Sequence, residues 1–536
     1  MSTEADARAP DEAGPRRDRR LALSTALFSL ATGLSRILGL FREIVAVRYF
    51  GVQGQINVFT VAFQAPNLVR SLVADQALSA AFVPVFSELL EKGERRRAWS
   101  VASTLLWLFL LGLGALTALF ILLAPWIMRP FGYEGAEEEL LVGLSRVLFP
   151  IVILLGASGI IVGILNSYEE FTIPALTPVF WNLAIILALV LGVPQTDDVD
   201  TQLYIYAGGI VAGTVIQVLL PLPWLRGLDG RLRLALDVRD PAVKRVFVLM
   251  LPVTLSLGLI NFNFVINTFF AARYLDPFLA PRAIEAAFRI YMLPQGIFSV
   301  AVATVLFPSL SRLATRADWD GFRHTVSLGV RQIGFLLIPA STVSAVLAEP
   351  IVRLLYERGE FDAANTRVVA GALAAFALGL TFNGTMLMLN RAFFSLQAPW
   401  VPTAIALGNL LGQIALNAAL YRVGVWGIPL ATSLVNLAGT GALLLVLRRR
   451  LGRLEGRAMA DTYGRAILAS AAAAAVAFGV WYGLDAALGR SLGAQIVSLG
   501  SAVVVSAGVF LVAARILRMR ELDALLSLRR RSRSPS

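Results

Sequence analysis

A run of about twenty mostly apolar residues is the length of helix that crosses a bilayer, and this chain repeats such a run from one end to the other. On that rule fourteen spans are expected, at about 21–49, 57–88, 99–127, 141–166, 173–193, 203–225, 246–273, 284–311, 325–348, 368–390, 400–420, 427–447, 466–484 and 494–514. Of the 536 residues, 57% are hydrophobic and 15% charged, against about 25% charged in ordinary soluble domains. The expected fold class is an all-α polytopic membrane protein with about 14 transmembrane helices. The chain has no cysteine and one histidine, His324, which excludes disulfide and thiolate chemistry and any metal centre built on several histidines.

A net charge of +12 would point a soluble protein toward nucleic acid. Here it reports topology, and no nucleic-acid partner is expected. With the N-terminus placed inside, the tails and loops on that side hold 32 Lys and Arg, and the opposite loops hold 7. The positive-inside rule then puts both termini in the cytoplasm, and the even span count agrees. Residues 1–20, with "RRDRR" before the first span, read as a disordered cytoplasmic tail, and the first span as an uncleaved helix. The basic end "RRRSRSPS" reads as a second inner tail (515–536) that meets anionic membrane lipids.

Short segments recur at a nearly constant offset. "AVRYF" (46–50) returns as "AARYL" (271–275), "VAF" (61–63) as "AAF" (286–288), "FVPVFSEL" (82–89) as "LFPSLSRL" (306–313), and "ILN" (164–166) as "MLN" (388–390). The shift covers six spans, an even number, so the two copies share one orientation, as in transporters built from parallel repeats. The expected organisation is an N-lobe (21–225), a basic linker (226–245), a C-lobe (246–447), two further helices within 448–514, and a central cavity between the lobes.

Ionisable groups at membrane depth cost several kcal/mol and face a cavity or a partner. Arg48, Arg273, Arg146 and Arg331 lie near span ends, where snorkelling to the interface suffices. Arg36, Arg42, Arg70 and Arg289 lie deeper, with only Glu43 and Asp75 read as balancing charge. Surplus guanidinium suits an anionic ligand, phosphate above all, because its fork donates two parallel hydrogen bonds. Structural ion pairing is the competing reading.

"SRILGLFREIVAVRYFG", "NVFTVAFQAPNLVRSLVADQALSAAFVPVFSEL", "LLYERGEFDAANT" and "FRIYMLPQGIFSVAVATVLFPSLS" resemble segments of the MurJ (MviN) lipid II flippases, of the multidrug/oligosaccharidyl-lipid/polysaccharide exporter superfamily. The resemblance runs from residue 25 to about 450, and PN-L-R followed by F-V-P is its most specific part. It implies fourteen helices and transfer of lipid II, the polyprenyl-pyrophosphate-linked peptidoglycan precursor, from the inner to the outer leaflet of the bacterial cytoplasmic membrane by alternating access. It also implies that Arg36, Arg42, Arg70 and Arg289 hold the pyrophosphate and sugar, with Glu43, Asn57 and Asp75 in the same site, and that the last two helices form a groove for the lipid tail. Asn57 stands where the family has Asp, Asp75 where it has Glu, and Met292 where Glu is frequent. Some relatives hold sodium on helices 7, 11 and 12, where Asn409, Gln413 and Thr432 fall. Polar bridging between helices is the other reading of these three, and Gln413 lacks a carboxylate. No cofactor is expected; a monovalent cation or the membrane potential would supply the drive, and the carrier is expected to be a monomer with no enzymatic activity.

The alternatives are an exporter of another polyprenyl-linked oligosaccharide, an exporter of cationic drugs, and a polyprenyl-phosphate-using membrane enzyme. A drug exporter would want acidic cavity residues, and an enzyme would want an acid/base set near the cavity mouth that the sequence does not offer. "DDVD" (197–200) holds an Asp-x-Asp, read as a solvated loop, and no Walker motif is present.

Overall fold

The computed structural model describes residues 14–73 and 77–522, and within them the side chains of all but 14–29, 32, 71–73, 77, 79, 80, 252, 253, 255–257 and 260. Among the described residues every regular element is helical. The helices are α1 (Gly14–Phe50), α2 (Ile56–Val73), α3 (Ala77–Glu91), α4 (Arg95–Met128), α5 (Ala136–Leu148), α6 (Ile151–Ser167), α7 (Thr172–Leu187), α8 (Val199–Leu219), α9 (Leu222–Leu225) and α10 (Pro241–Tyr274). They continue as α11 (Ala280–Pro294), α12 (Val300–Thr315), α13 (Trp319–Val346), α14 (Ala348–Tyr356), α15 (Ala363–Ala377), α16 (Leu380–Ser395), α17 (Trp400–Leu420), α18 (Gly427–Leu451), α19 (Gly456–Leu488) and α20 (Leu492–Ile516). This is a multi-pass membrane protein. Ten helical stretches among the described residues are long and apolar enough to span, or eleven if α15 and α16, bent by 43°, form one span. The expected spans outside that set are 21–49, which carries Arg36, Arg42 and Glu43, and 57–88 and 246–273, which include residues outside the described set.

Several boundaries differ from expectation. α1 starts at Gly14, so the basic run before the first span is helical and not a tail; Pro at the first turn and Arg thereafter are compatible with helix. α19 starts at Gly456, ten residues before the expected 466. Helix starts are set by short polar side chains that accept a backbone N–H: Asp198 from Thr201 N at 2.9 Å, Asp318 from Gly321 N at 2.9 Å, and Asp362 from Asn365 N at 2.8 Å. The "DDVD" segment is therefore a helix cap, and the Thr201 hydrogen bonds hold the Asp198 carboxyl below the usual carboxylate range.

By packing the chain divides into two units: residues 1–46, 65–128 and 139–257, and residues 47–64, 129–138 and 258–536. In the first unit α6 packs through small residues, which let helices approach closely where lipid offers no hydrophobic drive. A Cβ on Gly163 would lie 2.6 Å from Phe82 Cδ1. Phe82 is itself fully buried against Phe86, and Phe86 against Trp99 and Tyr168. The expected linker joins this unit as a strap on α4. Asp240 takes two 2.9 Å hydrogen bonds from Arg97, and these hold its carboxyl below the usual range against partial burial.

In the second unit α19 turns a stripe of alanines, Ala466, Ala469, Ala473 and Ala477, toward Phe335, Ile338 and Phe510, and toward Leu347 and Ala502. Two buried ion pairs pin the same helices. Arg331 donates to Glu521 at 2.6 Å, and Thr462 donates to the same carboxylate at 2.9 Å. Arg353 pairs with Asp485 and lies 5.8 Å over the Trp481 ring. Arg331, expected to snorkel, is thus buried, because the chain after α20 folds back to bring Glu521 to it. Breaking such a pair leaves a buried charge and costs about 3–5 kcal/mol.

Gly163→Val is expected to destabilise the protein by about 1–3 kcal/mol through overpacking against Phe82, read as a lower thermal midpoint in detergent, with Gly112→Val, where a Cβ meets open space, as the neutral control.

Candidate functional site

α1 turns one face to α7. Ser35, Gly39 and Arg42 recur at helical spacing, and opposite them Asn182 donates to Pro178 O at 2.9 Å and to Ser35 O at 3.4 Å. One turn further along α1, the Arg42 guanidinium sits 4.8 Å from the centre of the Trp181 ring, and the Trp181 indole is fixed in turn by donating to Thr214 Oγ1 on α8 at 3.1 Å. Arg42 is 8% exposed and the adjacent Glu43 2%. The ring face satisfies part of the cation's field in a dry setting.

Arg36 lies on the same helix but is exposed, among the exposed Leu34, Ile37 and Phe41. Glu43, seven residues on, shares its face by helical phase, yet that face is open at Arg36 and covered at Glu43. Arg70 is half-buried in the last turn of α2, where a cation is favoured by the helix dipole, and its Nε donates to Asn67 Oδ1 at 3.2 Å. Asp75 lies outside the described residues. Trp181 and Asn182 escaped the sequence reading because it searched for charge; "FWN" inside an apolar span was the available signal.

In the second unit Arg289 donates to Glu285 Oε1 at 2.9 Å, and Arg282 donates to the other oxygen at 3.0 Å. Arg282 is 3% exposed. The sequence reading counted Arg282 with the outer loops because it started the span at 284, and it passed over Glu285 inside that span; α11 starts at Ala280, which places 282, 285 and 289 one turn apart. Glu285 is thus shared by two guanidinium groups, one oxygen to each.

Asn57 is placed as a clamp. Its Nδ2 donates to Val52 O at 2.9 Å, Gly54 O at 3.0 Å and Phe278 O at 2.6 Å, and its Oδ1 accepts from Arg282 N at 2.8 Å. It is fully buried, and each of its polar atoms is used on backbone, so it ties the turn before α2 to the start of α11 and offers nothing to a ligand. This corrects its expected membership of the binding set.

Of the three candidates for sodium, the structure joins two. Gln413 donates to Asn267 Oδ1 at 2.9 Å and to Asn417 Oδ1 at 2.8 Å, Asn417 donates to the same Asn267 oxygen at 2.9 Å, and Asn267 donates to Thr432 Oγ1 at 3.4 Å. Asn409 is apart from them, with its amide 3.5 Å from Met386 Sδ. The oxygen at the centre of this neutral cluster already accepts two N–H groups, and among the described residues no group of acidic or histidine side chains could hold a metal ion. The residues do not fit a sodium ion; they bridge α10, α17 and α18.

Two solved structures share this architecture, that of a polytopic helical membrane protein. A structure described as lipid II flippase MurJ in an inward closed conformation matches over 92% of this chain and 98% of its own, with a TM-score of 0.75 at 24% identity. An inward-facing multidrug resistance MATE family transporter of the MOP superfamily matches over 80% of this chain and 95% of its own, with a TM-score of 0.66 at 16% identity. Sequence gives the family: residues 46–518 match the model of the lipid II flippase MurJ family, and the chain belongs to that family, one of transporters. The lipid II flippase MurJ of Burkholderia cenocepacia is 30% identical over 440 residues, 80% of this chain and 84% of that protein.

Replacing Asn57 by Ala strands the Arg282 N–H and the Phe278 carbonyl, and is expected to cost about 1–3 kcal/mol; the check is a lower thermal midpoint with faster hydrogen exchange across 278–283.

Proposed function

We propose that this chain flips lipid II, a polyprenyl-pyrophosphate glycolipid, from the inner to the outer leaflet of the bacterial inner membrane, as a monomer with fourteen spans and both termini cytoplasmic. The two six-helix lobes, 21–225 and 246–447, rock to give alternating access, and the last two helices receive the lipid tail. Membership of the lipid II flippase family supports the substrate, and the observation that carries the site is Arg42 held against Trp181 inside a membrane helix. A guanidinium oriented by a ring presents its fork to a diphosphate. Arg36, about one and two-thirds turns away on the same helix, is exposed to meet the same anion, and Arg70 adds positive charge from α2; Arg289, in the second unit, is the cation read there. Glu43 balances Arg42 between transport cycles.

No cofactor is needed. The membrane potential supplies the drive, since one elementary charge moved through 100 mV is worth about 2.3 kcal/mol. The amide cluster around Asn267 offers sodium no carboxylate, so sodium is left out of the cycle.

In proteoliposomes with labelled lipid II, Arg42→Ala is expected to slow transfer by roughly 10- to 100-fold, the worth of a charge-assisted hydrogen-bond pair, while Trp181→Phe keeps more of the rate than Trp181→Ala. Normal transfer by Arg42→Ala at full membrane insertion would remove Arg42 from the site. In the same vesicles, collapsing the potential is expected to slow transfer, and exchanging sodium for choline to leave it unchanged; a rate that follows sodium would place an ion in the cycle after all.

A further inference from the structure

The segment after α9 does not run through water as a loop. It descends along α4 and returns. On the way down Asp229 pairs with Arg95 at 2.7 Å and accepts from the Tyr168 hydroxyl. Gly230 follows, lying so close to Trp99 that a Cβ there would be 2.1 Å from the indole. Arg233 N then donates to Ser103 Oγ at 3.0 Å, and Arg233 O accepts from Trp107 Nε1 at 3.0 Å. The chain bends at Leu234 and climbs back: Asp237 N donates to Thr104 Oγ1 at 3.1 Å, and Asp240 meets Arg97. The partners therefore run 95, 99, 103, 107, then 104 and 97. From Arg95 to Trp107 is about 18 Å along a helix axis.

That descent reaches the apolar part of the bilayer. Between Arg97 and Arg129 α4 carries no charged residue, and a hydrocarbon core of about 20 residues centred on that stretch begins near residue 103. Trp99 and Trp107 bracket this boundary, as interfacial indoles do. Three further observations agree. Irregular backbone at membrane depth must have its polar groups satisfied by protein, and at the deepest point Arg233 N, Arg233 O and Asp237 N are each taken by a side chain of α4. Large apolar side chains are exposed near the bend, Leu234 at 85%, Leu236 at 56% and Val238 at 57%, with Asp237 exposed between the last two. Exposed Arg226, Arg231, Arg233 and Arg239 flank them. On α4 itself an exposed apolar face starts at Leu111, whereas Val101–Leu105 are buried, so the apolar tip continues the lipid-facing surface.

We propose that residues 229–240 form a wedge inserted in the leaflet on the arginine-rich side of the membrane, with Leu234, Leu236 and Val238 among the acyl chains and Arg226, Arg231, Arg233 and Arg239 on the headgroups of anionic phospholipid. The occupant of this surface is the bilayer. A water-soluble protein partner would meet a bend pressed against α4 at the depth of a transmembrane helix. The wedge is independent of which molecule the carrier moves.

The chain has no cysteine, so single-cysteine spin labels report depth directly. Leu234→Cys is compared with Leu111→Cys on the lipid face of α4 and with Glu91→Cys at the exposed C-terminal end of α3, in vesicles of phosphatidylcholine and phosphatidylglycerol. The label at 234 is expected to be reached by dissolved oxygen and to lose access to an aqueous nickel chelate, as at 111. Nickel access equal to that at 91 would overturn the proposal, and so would a label reached by neither reagent, which would mean a protein-covered tip. In native mass spectrometry, retention of phosphatidylglycerol over phosphatidylcholine is expected to fall roughly fivefold for each of Arg231→Gln and Arg233→Gln, the worth of one surface cation on an anionic leaflet. Unchanged retention in both would overturn the headgroup contact.

Discussion

The constraint on which this structure depends is the cost of charge in a medium without water. A guanidinium at membrane depth must find a carboxylate, a ring face, a route to the interface or a ligand. Each buried arginine of the chain takes one of these. Arg331 and Arg353 take carboxylates, Glu521 and Asp485, and in doing so fasten α19 and the segment after α20 to α13 and α14. Arg282 and Arg289 share a single carboxylate, Glu285. Arg42 takes a ring, Trp181. The distinction matters for function. An arginine locked to a full negative charge is a fastener, because replacing its partner by a ligand would strand the partner. An arginine seated on a ring, or one that shares a carboxylate, is not committed by that contact to one full negative charge of its own.

The membrane class was legible in the sequence because a bilayer sets a length, and length is visible in a string of letters. What failed to be legible followed from two physical causes. The first is the position of helix ends. Starting α11 four residues late left Arg282 in a loop, and Glu285, inside the span beside Arg289, was passed over, so a salt-bridged triad was read as a lone cation and a loop. The second is partnership across long stretches of chain. Trp181 is 139 residues from Arg42, and Glu521 is 190 from Arg331. Nothing local announces either pairing, and a search confined to charged letters passes over an indole.

Amides build polar networks at two places, with different consequences. At residue 57 the two N–H groups of an amide are shared among three carbonyl oxygens and its oxygen accepts a backbone N–H, a set that a carboxylate could not satisfy, so the residue becomes part of the frame. Around Asn267 three amides and a hydroxyl close on one another. In a bilayer such neutral networks hold helices together at modest strength, near 0.6–2 kcal/mol per bond, without the desolvation cost of an ion. Both networks put polarity into architecture.

The same accounting explains why the segment between α9 and α10 is built as it is. A linker in water needs no partners for its backbone and gains nothing from exposed leucines. This one spends Ser103, Thr104 and Trp107 of a transmembrane helix on its amide groups, and gives up a side chain at Gly230 to pass Trp99. Those are the costs of bringing irregular chain below the headgroups, and they are rational only if the tip is meant to be there. The period of two in "RLRLALDV" was visible from the start, but its meaning was not. An alternating pattern reads as a surface strand until the partners on α4, some 130 residues earlier in the chain, show how deep it lies.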